Sequence, residues 1–147
     1  MQEKIHPDLQ FSVVCDDVRQ EANGKFILIG LFDVISGNKL PVRFPRLCVV
    51  NRWCGGDGTF TQVTRIVRPD QSTVLASGRE IPVKLKNIEA TATNVEVFGN
   101  LVMPDPGAYW VEIIMEGELR LRYPLRVVLV APPAPPGEGR SAPHRNN

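Results

Sequence analysis

Residues 105–130 read DPGAYWVEIIMEGELRLRYPLRVVLV, and this stretch carries the clearest secondary-structure pattern of the chain. After a tight corner, apolar side chains recur at every second position, first from Tyr109 to Met115 and then from Leu119 to Leu129. A period of two is typical of a β-strand that packs one face on a core and exposes the other face to water. We therefore predict two antiparallel strands that form a hairpin.

The two apolar sets also predict the register of this hairpin. Both sets face the same core only if the numbers of paired residues add up to an even number. This condition makes Glu116-Gly117-Glu118 a three-residue loop and places Glu112 opposite Arg122. We expect that pair to be exposed and to contribute about 0.2–1 kcal/mol to stability. Pro124 cannot donate a backbone hydrogen bond, so it predicts a bulge or an edge position.

Turn residues divide the rest of the chain into further strands. Asn23-Gly24 predicts a two-residue turn between strands at residues 9–20 and 25–35. Because both faces of the second of these strands are apolar, we place it in the centre of a sheet, covered on both sides. The chain is thus predicted to be all-β, an antiparallel β-sandwich of two sheets with eight or nine strands. The remaining strands are predicted at residues 47–53, 59–67, 73–77, 81–85 and 94–102.

The corner before the last hairpin resembles a known one. Asp105, Gly107 and Tyr109 match an Asp-x-Gly-x-Tyr pattern, and residues 98–111 resemble the corner between strands E and F of immunoglobulin-like domains. The resemblance implies an immunoglobulin-like architecture in which the Tyr109 hydroxyl bonds a nearby backbone group. Val111 stands where antibody-type domains carry a cysteine, so no disulfide between the sheets is expected.

A second resemblance involves the first predicted hairpin. The stretches Cys15–Glu21 and Gly24–Gly30 are similar to an uncharacterised family of short bacterial β-sandwich proteins, a domain of unknown function. The similarity extends over most of the predicted folded part. It implies no activity, ligand or site.

Length and composition limit the domain organisation. At 147 residues the chain fits one β-sandwich domain, residues 1–130, followed by a tail at residues 131–147. The tail is rich in proline and polar residues and cannot build a core, so it is predicted to be disordered. Its Pro-rich segment could dock in an aromatic groove of another protein, although an inert terminus is the favoured alternative.

Charge and hydrophobicity limit the partners and the compartment. The formal net charge of +1 argues against bulk attraction to nucleic acid or to a membrane surface. No apolar run reaches the roughly 18 residues that a membrane helix needs, and the N-terminus lacks the hydrophobic centre of a signal peptide. Cys15, Cys48 and Cys54 show no Cys-x-x-Cys spacing and suit a reducing compartment. A cytoplasmic location is therefore expected.

The sequence predicts no catalytic, cofactor-binding or metal-binding residue. Catalysis by a nucleophile and a base needs a histidine near a serine or cysteine. The two histidines, His6 and His144, both lie near the termini. Cys48 and Cys54 lack the second pair of ligands that a zinc site would need. We expect a protein that is not an enzyme and holds no cofactor.

Asp16 and Asp17 form a candidate polar site, because they lie inside an apolar strand, where a charge is costly. With the two-residue turn, Asp17 falls opposite Gly30 and Asp16 opposite Leu31. One interpretation is a metal-coordinating or acid–base pair. The favoured alternative is structural, with an aspartate that accepts bonds from loop amides or pairs with Arg19.

The outward face of the last hairpin is a candidate interface. Trp110 and Ile114 are large apolar residues on that face, and Arg120 and Arg122 are predicted beside them. An exposed tryptophan can seed an interface, although coverage by a loop of the same chain is an equal alternative.

Two functions are consistent with these patterns. The leading prediction is a non-enzymatic binding or assembly module that acts on another protein or on itself. The alternative is a small metal-assisted enzyme that uses the carboxylates of Asp16 and Asp17.

Overall fold

A computed structural model describes residues 3–131, which form ten β-strands. The all-β prediction is confirmed, and there are ten strands instead of eight or nine because the residues predicted as one strand at 25–35 form two. Within the described residues, no helix is long and apolar enough to cross a membrane. The predicted tail lies outside these residues, apart from Ala131. The strands are β1 (Asp8–Gln20), β2 (Phe26–Leu31), β3 (Val34–Gly37), β4 (Val42–Cys54), β5 (Gly58–Val67), β6 (Val74–Ser77), β7 (Ile81–Leu85), β8 (Thr91–Met103), β9 (Gly107–Met115) and β10 (Glu118–Leu129).

The ten strands form two sheets with the core between them, so the predicted two-sheet β-sandwich is confirmed. The four-stranded sheet has the order β2-β1-β4-β8, and the six-stranded sheet has the order β3-β10-β9-β5-β6, with β7 also paired to β5. One pair, β3 and β10, runs parallel, which the sequence did not predict. The core is built from fully buried residues of both sheets, among them Leu47, Val49, Trp53, Phe60, Ile66, Tyr109, Val111, Ile113 and Leu125.

The hairpin of β9 and β10 has the predicted register over most of its length. Arg122 pairs with Glu112, as expected. Close to the loop the register differs by one residue, and a bulge between Leu119 and Leu121 absorbs the difference. The extra residue of the bulge is Arg120.

The loop of this hairpin explains the bulge. It has two residues, Glu116 and Gly117, rather than the predicted three, and both have a positive φ, of 50° and 79°. Two residues with positive φ are the requirement of a type I′ turn, whose twist matches that of the flanking strands. Glu118 therefore belongs to β10, where it pairs with Met115.

A side chain closes the corner between β8 and β9. The hydroxyl of Tyr109 donates to the carbonyl of Asp105 (2.9 Å) and accepts from the N–H of the same residue (3.2 Å). Burial raises the pKa of Tyr109, so the hydroxyl keeps its proton. Tyr109 thus holds the backbone of the corner through two hydrogen bonds to Asp105.

The hairpin of β1 and β2 differs more from its prediction. Its loop has three residues, 22–24, closed by a backbone hydrogen bond between the flanking residues. Gly24 has a positive φ of 90°, but Asn23 does not, and the predicted two-residue turn needs positive φ at both positions. The longer loop shifts the register by one residue, so Asp17 pairs with Ile29.

This hairpin folds back over the outer face of its own sheet. β1 pairs with β4 as far as Cys15 and with β2 from Cys15 onwards. Past that point, Val18 and Leu28 pack against a buried cluster on the outer face of the sheet, formed by Cys15, Cys48 and Val50. We name residues 16–31 the hairpin arm. Its tip shares a cavity of about 570 Å³ with side chains of β4 and β8, namely Arg52, Thr91 and Thr93.

Candidate functional site

The hairpin arm exposes large apolar side chains on its outer side. Ile27, Ile29 and Leu31 are 41%, 39% and 61% exposed. Alternation along β2 places Ile27 and Ile29 opposite Leu28, which packs inward. We call these three residues the apolar strip. Single apolar residues are common on protein surfaces, but here three large ones are exposed within the six residues of one strand.

The apolar strip lies on a strand with a free edge. β2 is the terminal strand of the four-stranded sheet and pairs with β1 alone among the described strands. The prediction that this strand is central and covered on both sides is therefore wrong. Residues 26–31 contain no charge and no proline, two devices by which edge strands ordinarily avoid pairing with another chain. This edge is suited to contact with a second polypeptide.

A groove of about 400 Å³ continues the strip at the base of the arm. Leu31 forms one of its walls, together with Val13 and Phe32. Ser12 and Tyr123 also line it, and their hydroxyl oxygens lie 2.8 Å apart. Burial raises the pKa of Tyr123 to about 12, so its hydroxyl remains protonated within the hydrogen bond. The groove can hold an apolar side chain that lies beside the strip.

Asp17 ties the base of the arm to the sheet. Its carboxylate accepts hydrogen bonds from the N–H of Val18 (2.9 Å) and from Arg46 (3.0 Å), and it lies 3.6 Å from the guanidinium of Arg19. The bond from Arg46, followed by that from the Val18 N–H, lowers the pKa of Asp17 below its ordinary value. The oxygens of this carboxylate are thus engaged in holding the arm.

Asp16 is exposed and lies over Gly30 of β2. Gly30 has a φ of 70°, and a Cβ at this position would overlap the Asp16 carboxylate. Asp16 and Asp17 are neighbours in the chain, and each contacts a different part of the structure. Among residues 3–131, no group of three or more His, Cys, Asp or Glu side chains is arranged to hold a metal ion.

Two cysteines lie directly beneath the arm. Cys15 and Cys48 are paired residues of β1 and β4, and both are fully buried. Their thiols donate to the carbonyls of Asp17 (3.5 Å) and Asp16 (3.9 Å) at the bend of the chain. Burial raises the pKa of both thiols, so they persist as thiols and support the arm by packing.

On the six-stranded sheet, side chains of the same protein partly cover the surface that the sequence predicts as an interface. Trp110 and Ile114 are half-buried. The guanidinium of Arg122 lies 5.7 Å from the centre of the Trp110 ring. Arg122 also donates to Gln71 (3.3 Å) in the connection between β5 and β6.

Arg120 does not belong to that surface. Its guanidinium lies 5.7 Å from the ring of the core residue Trp53 and donates to the carbonyl of Pro7 (2.5 Å). Because Arg120 is the extra residue of the bulge, its side chain does not share the face of Arg122. This corrects the prediction that groups the two arginines.

Glu112 is buried, although the sequence predicts an exposed pair. The residue is 1% exposed, and its two oxygens accept hydrogen bonds from Arg65 (2.6 Å) and Arg122 (2.8 Å). Burial acts to raise the pKa of Glu112, but the two guanidiniums outweigh it and lower the pKa. The predicted pair is therefore part of a three-residue ion network.

Glu96 is a second buried carboxylate, and sequence reasoning missed it. The residue is 7% exposed, and neither of its oxygens has a hydrogen-bond partner among the described residues. Burial raises its pKa to about 7, which Arg79 offsets in part. A signal was present in the sequence, because Asn94, Glu96 and the core residue Phe98 alternate along one strand.

A known protein family matches most of the chain. It is a family of unknown function (DUF6941), and the match covers residues 10–128. These residues include the hairpin arm, the groove and strands of both sheets. No curated protein matches the chain.

Proposed function

The chain belongs to this family of unknown function, and we propose that its domain is a protein-binding module whose contact surface is the apolar strip. The observation that carries the proposal is the exposure of Ile27, Ile29 and Leu31 on an edge strand without charge or proline. Edge strands ordinarily carry a charge or a proline that prevents pairing with other chains, and this strand carries neither. An exposed apolar patch on such a strand is typical of a surface that a partner covers.

The groove supports the same proposal. A partner segment that lies along β2 can insert one apolar side chain between Leu31 and Phe32. Its neighbouring side chains can then pack on Ile27 and Ile29. Removing this surface from water stabilises the complex by about 25 cal/mol per Å² of apolar area, less the entropy that association costs. Affinity on this surface would therefore come from apolar contact.

The metal-assisted enzyme has less support. The carboxylate of Asp17 is bonded to Arg46 and to the N–H of Val18, so a metal ion would have to displace both donors. Titration calorimetry with Mg²⁺, Ca²⁺ and Mn²⁺ tests this alternative. Heat of binding that Asp16→Asn and Asp17→Asn abolish would favour the enzyme over the binding module.

Photo-crosslinking tests the proposed contact surface. A photoreactive phenylalanine in place of Leu31 reports on the strip, and the same group in place of the exposed residue Lys84 on β7 is the matched control. The proposal predicts an adduct with another polypeptide from position 31 that Ile27→Lys abolishes, with little adduct from position 84. Equal yields from both positions, or adducts that Ile27→Lys leaves unchanged, would contradict it.

A further inference from the structure

The apolar strip ends in opposite charges. Lys25 directly precedes β2, and Asp33 lies at the bend that follows it, so that positions 25, 27, 29, 31 and 33 read Lys-Ile-Ile-Leu-Asp. Both end residues are exposed. Neither takes part in a salt bridge within residues 3–131, where Asp17, Asp105 and Glu112 supply the paired acids. The series is therefore basic at the tip of the arm, apolar in the middle and acidic at its base.

We infer that the partner of the strip is a second copy of this chain, packed strip on strip in antiparallel orientation about a two-fold axis at Ile29. This inference rests on the proposed function and names its partner. Ile29 is the midpoint of the series, so the two-fold axis brings Ile29 of both copies together. Ile27 of each copy then faces Leu31 of the other, and Lys25 of each copy faces Asp33 of the other.

Charge selects this orientation over the parallel one. In the antiparallel arrangement both ends of the strip form a pair of opposite charges, and both apolar positions meet apolar positions. A parallel arrangement would place Lys25 against Lys25 and Asp33 against Asp33, and like charges in contact disfavour a complex. A two-fold axis also uses the same patch on both copies, which is the commonest symmetry of homodimers.

The size of the strip predicts a weak dimer. The six residues of β2 span about 20 Å, and an arm of two strands is about 10 Å wide. This footprint of about 200 Å² is smaller than the roughly 800 Å² per partner of a standard stable interface. We therefore expect a reversible dimer whose dissociation constant lies in the range of about 10 µM to about 1 mM.

Charge reversal at the two ends of the strip tests the inference. Lys25→Glu and Asp33→Lys each place like charges at both ends of the homodimer, so each variant alone should dimerise about tenfold more weakly than the wild type. An equimolar mixture of the two variants restores opposite charges at both ends of a mixed dimer. Lys84→Glu, a charge reversal on β7, is the control and should dimerise like the wild type. Sedimentation velocity measures the wild type and these four samples.

The expected result is weak dimerisation of each strip variant, recovery in their mixture, and loss of the difference at high salt. A mixture that dimerises no better than its components would overturn the inference, and so would a wild type that stays monomeric at about 1 mM. The photo-crosslink separates this inference from the proposed function. If the purified chain forms adducts from position 31 to residues near Ile27 of a second copy, the binding module and the self-association are both supported. Strip-dependent adducts with another protein alone support the binding module and overturn the self-association.

Discussion

Gly78 lies against the carboxylate of Glu96 so closely that a Cβ at position 78 would overlap that carboxylate. Glu96 projects from β8, the terminal strand of one sheet, and Gly78 directly follows β6, the terminal strand of the other. The contact therefore joins two open edges of the sandwich. It also keeps water from a carboxylate whose oxygens have no partner among the described residues. The stability of this side of the sandwich depends on whether Glu96 carries a proton.

Glu96→Gln should remove a pH dependence of stability. Burial raises the pKa of Glu96 from 4.5 to about 7, so the folded state holds the proton more tightly than the unfolded state. The contribution of Glu96 to wild-type stability is therefore fully present below pH 4.5 and falls, by about 3 kcal/mol in total, as the pH rises through 7. Urea unfolding at about pH 5 and about pH 8 measures this slope, with the exposed Glu89→Gln as the control. Parallel pH profiles of the wild type and Glu96→Gln would contradict the prediction.

Gly78→Ala should destabilise the protein because the added methyl group meets the side chain of Glu96. The added methyl group overlaps the carboxylate, and overpacking of this kind costs about 1–3 kcal/mol. In the Glu96→Ala background the same change should cost less than about 1 kcal/mol, because the methyl group then has room. Unfolding free energies of the four proteins of this cycle measure the coupling. An equal cost in both backgrounds would show that the contact does not constrain Gly78.

Glu112→Gln should show the opposite pH dependence. Arg65 and Arg122 lower the pKa of Glu112, so its ionised form stabilises the fold above pH 4.5. That contribution is lost as the pH falls through the lowered pKa of the folded protein. The substitution leaves two half-buried guanidiniums beside a neutral amide and should cost about 1–3 kcal/mol at about pH 7. The cost, measured by urea unfolding, should shrink as the pH falls below 4.5. A cost that does not change with pH would show that the charge of Glu112 is not its source.

The sequence predicted the last hairpin well because its pattern is strict. From Tyr109 to Met115 the residues of the hydrophobic core fall at every second position, and one shift of register would bury arginines, so the pairing of Glu112 with Arg122 could be foreseen. The turn could not be foreseen from the pattern alone. Two different loops give the same pairing further along the strands. One is a type I′ turn with a compensating bulge at Arg120, and the other is a three-residue loop.

The candidate surface could not be found in the same way, because periodicity does not show what covers a strand. In β2 both faces are apolar, which is typical of a central strand. Here Leu28 packs on the outer face of the neighbouring strands, while Ile29 remains half exposed. The bend of β1 after Cys15 produces this arrangement, and a change of pairing partner within one strand has no periodic signature.

The proposed function requires the apolar strip to be a contact surface, and Ile29 lies at its centre. The most direct measurement is the crosslinking yield from position 31 with and without Ile29→Lys, each protein being checked by urea unfolding. Because Ile29 is 39% exposed, the substitution should change the free energy of unfolding by less than about 1 kcal/mol and yet abolish the adduct. An adduct that survives Ile29→Lys in a folded protein would show that the apolar strip is not the contact surface.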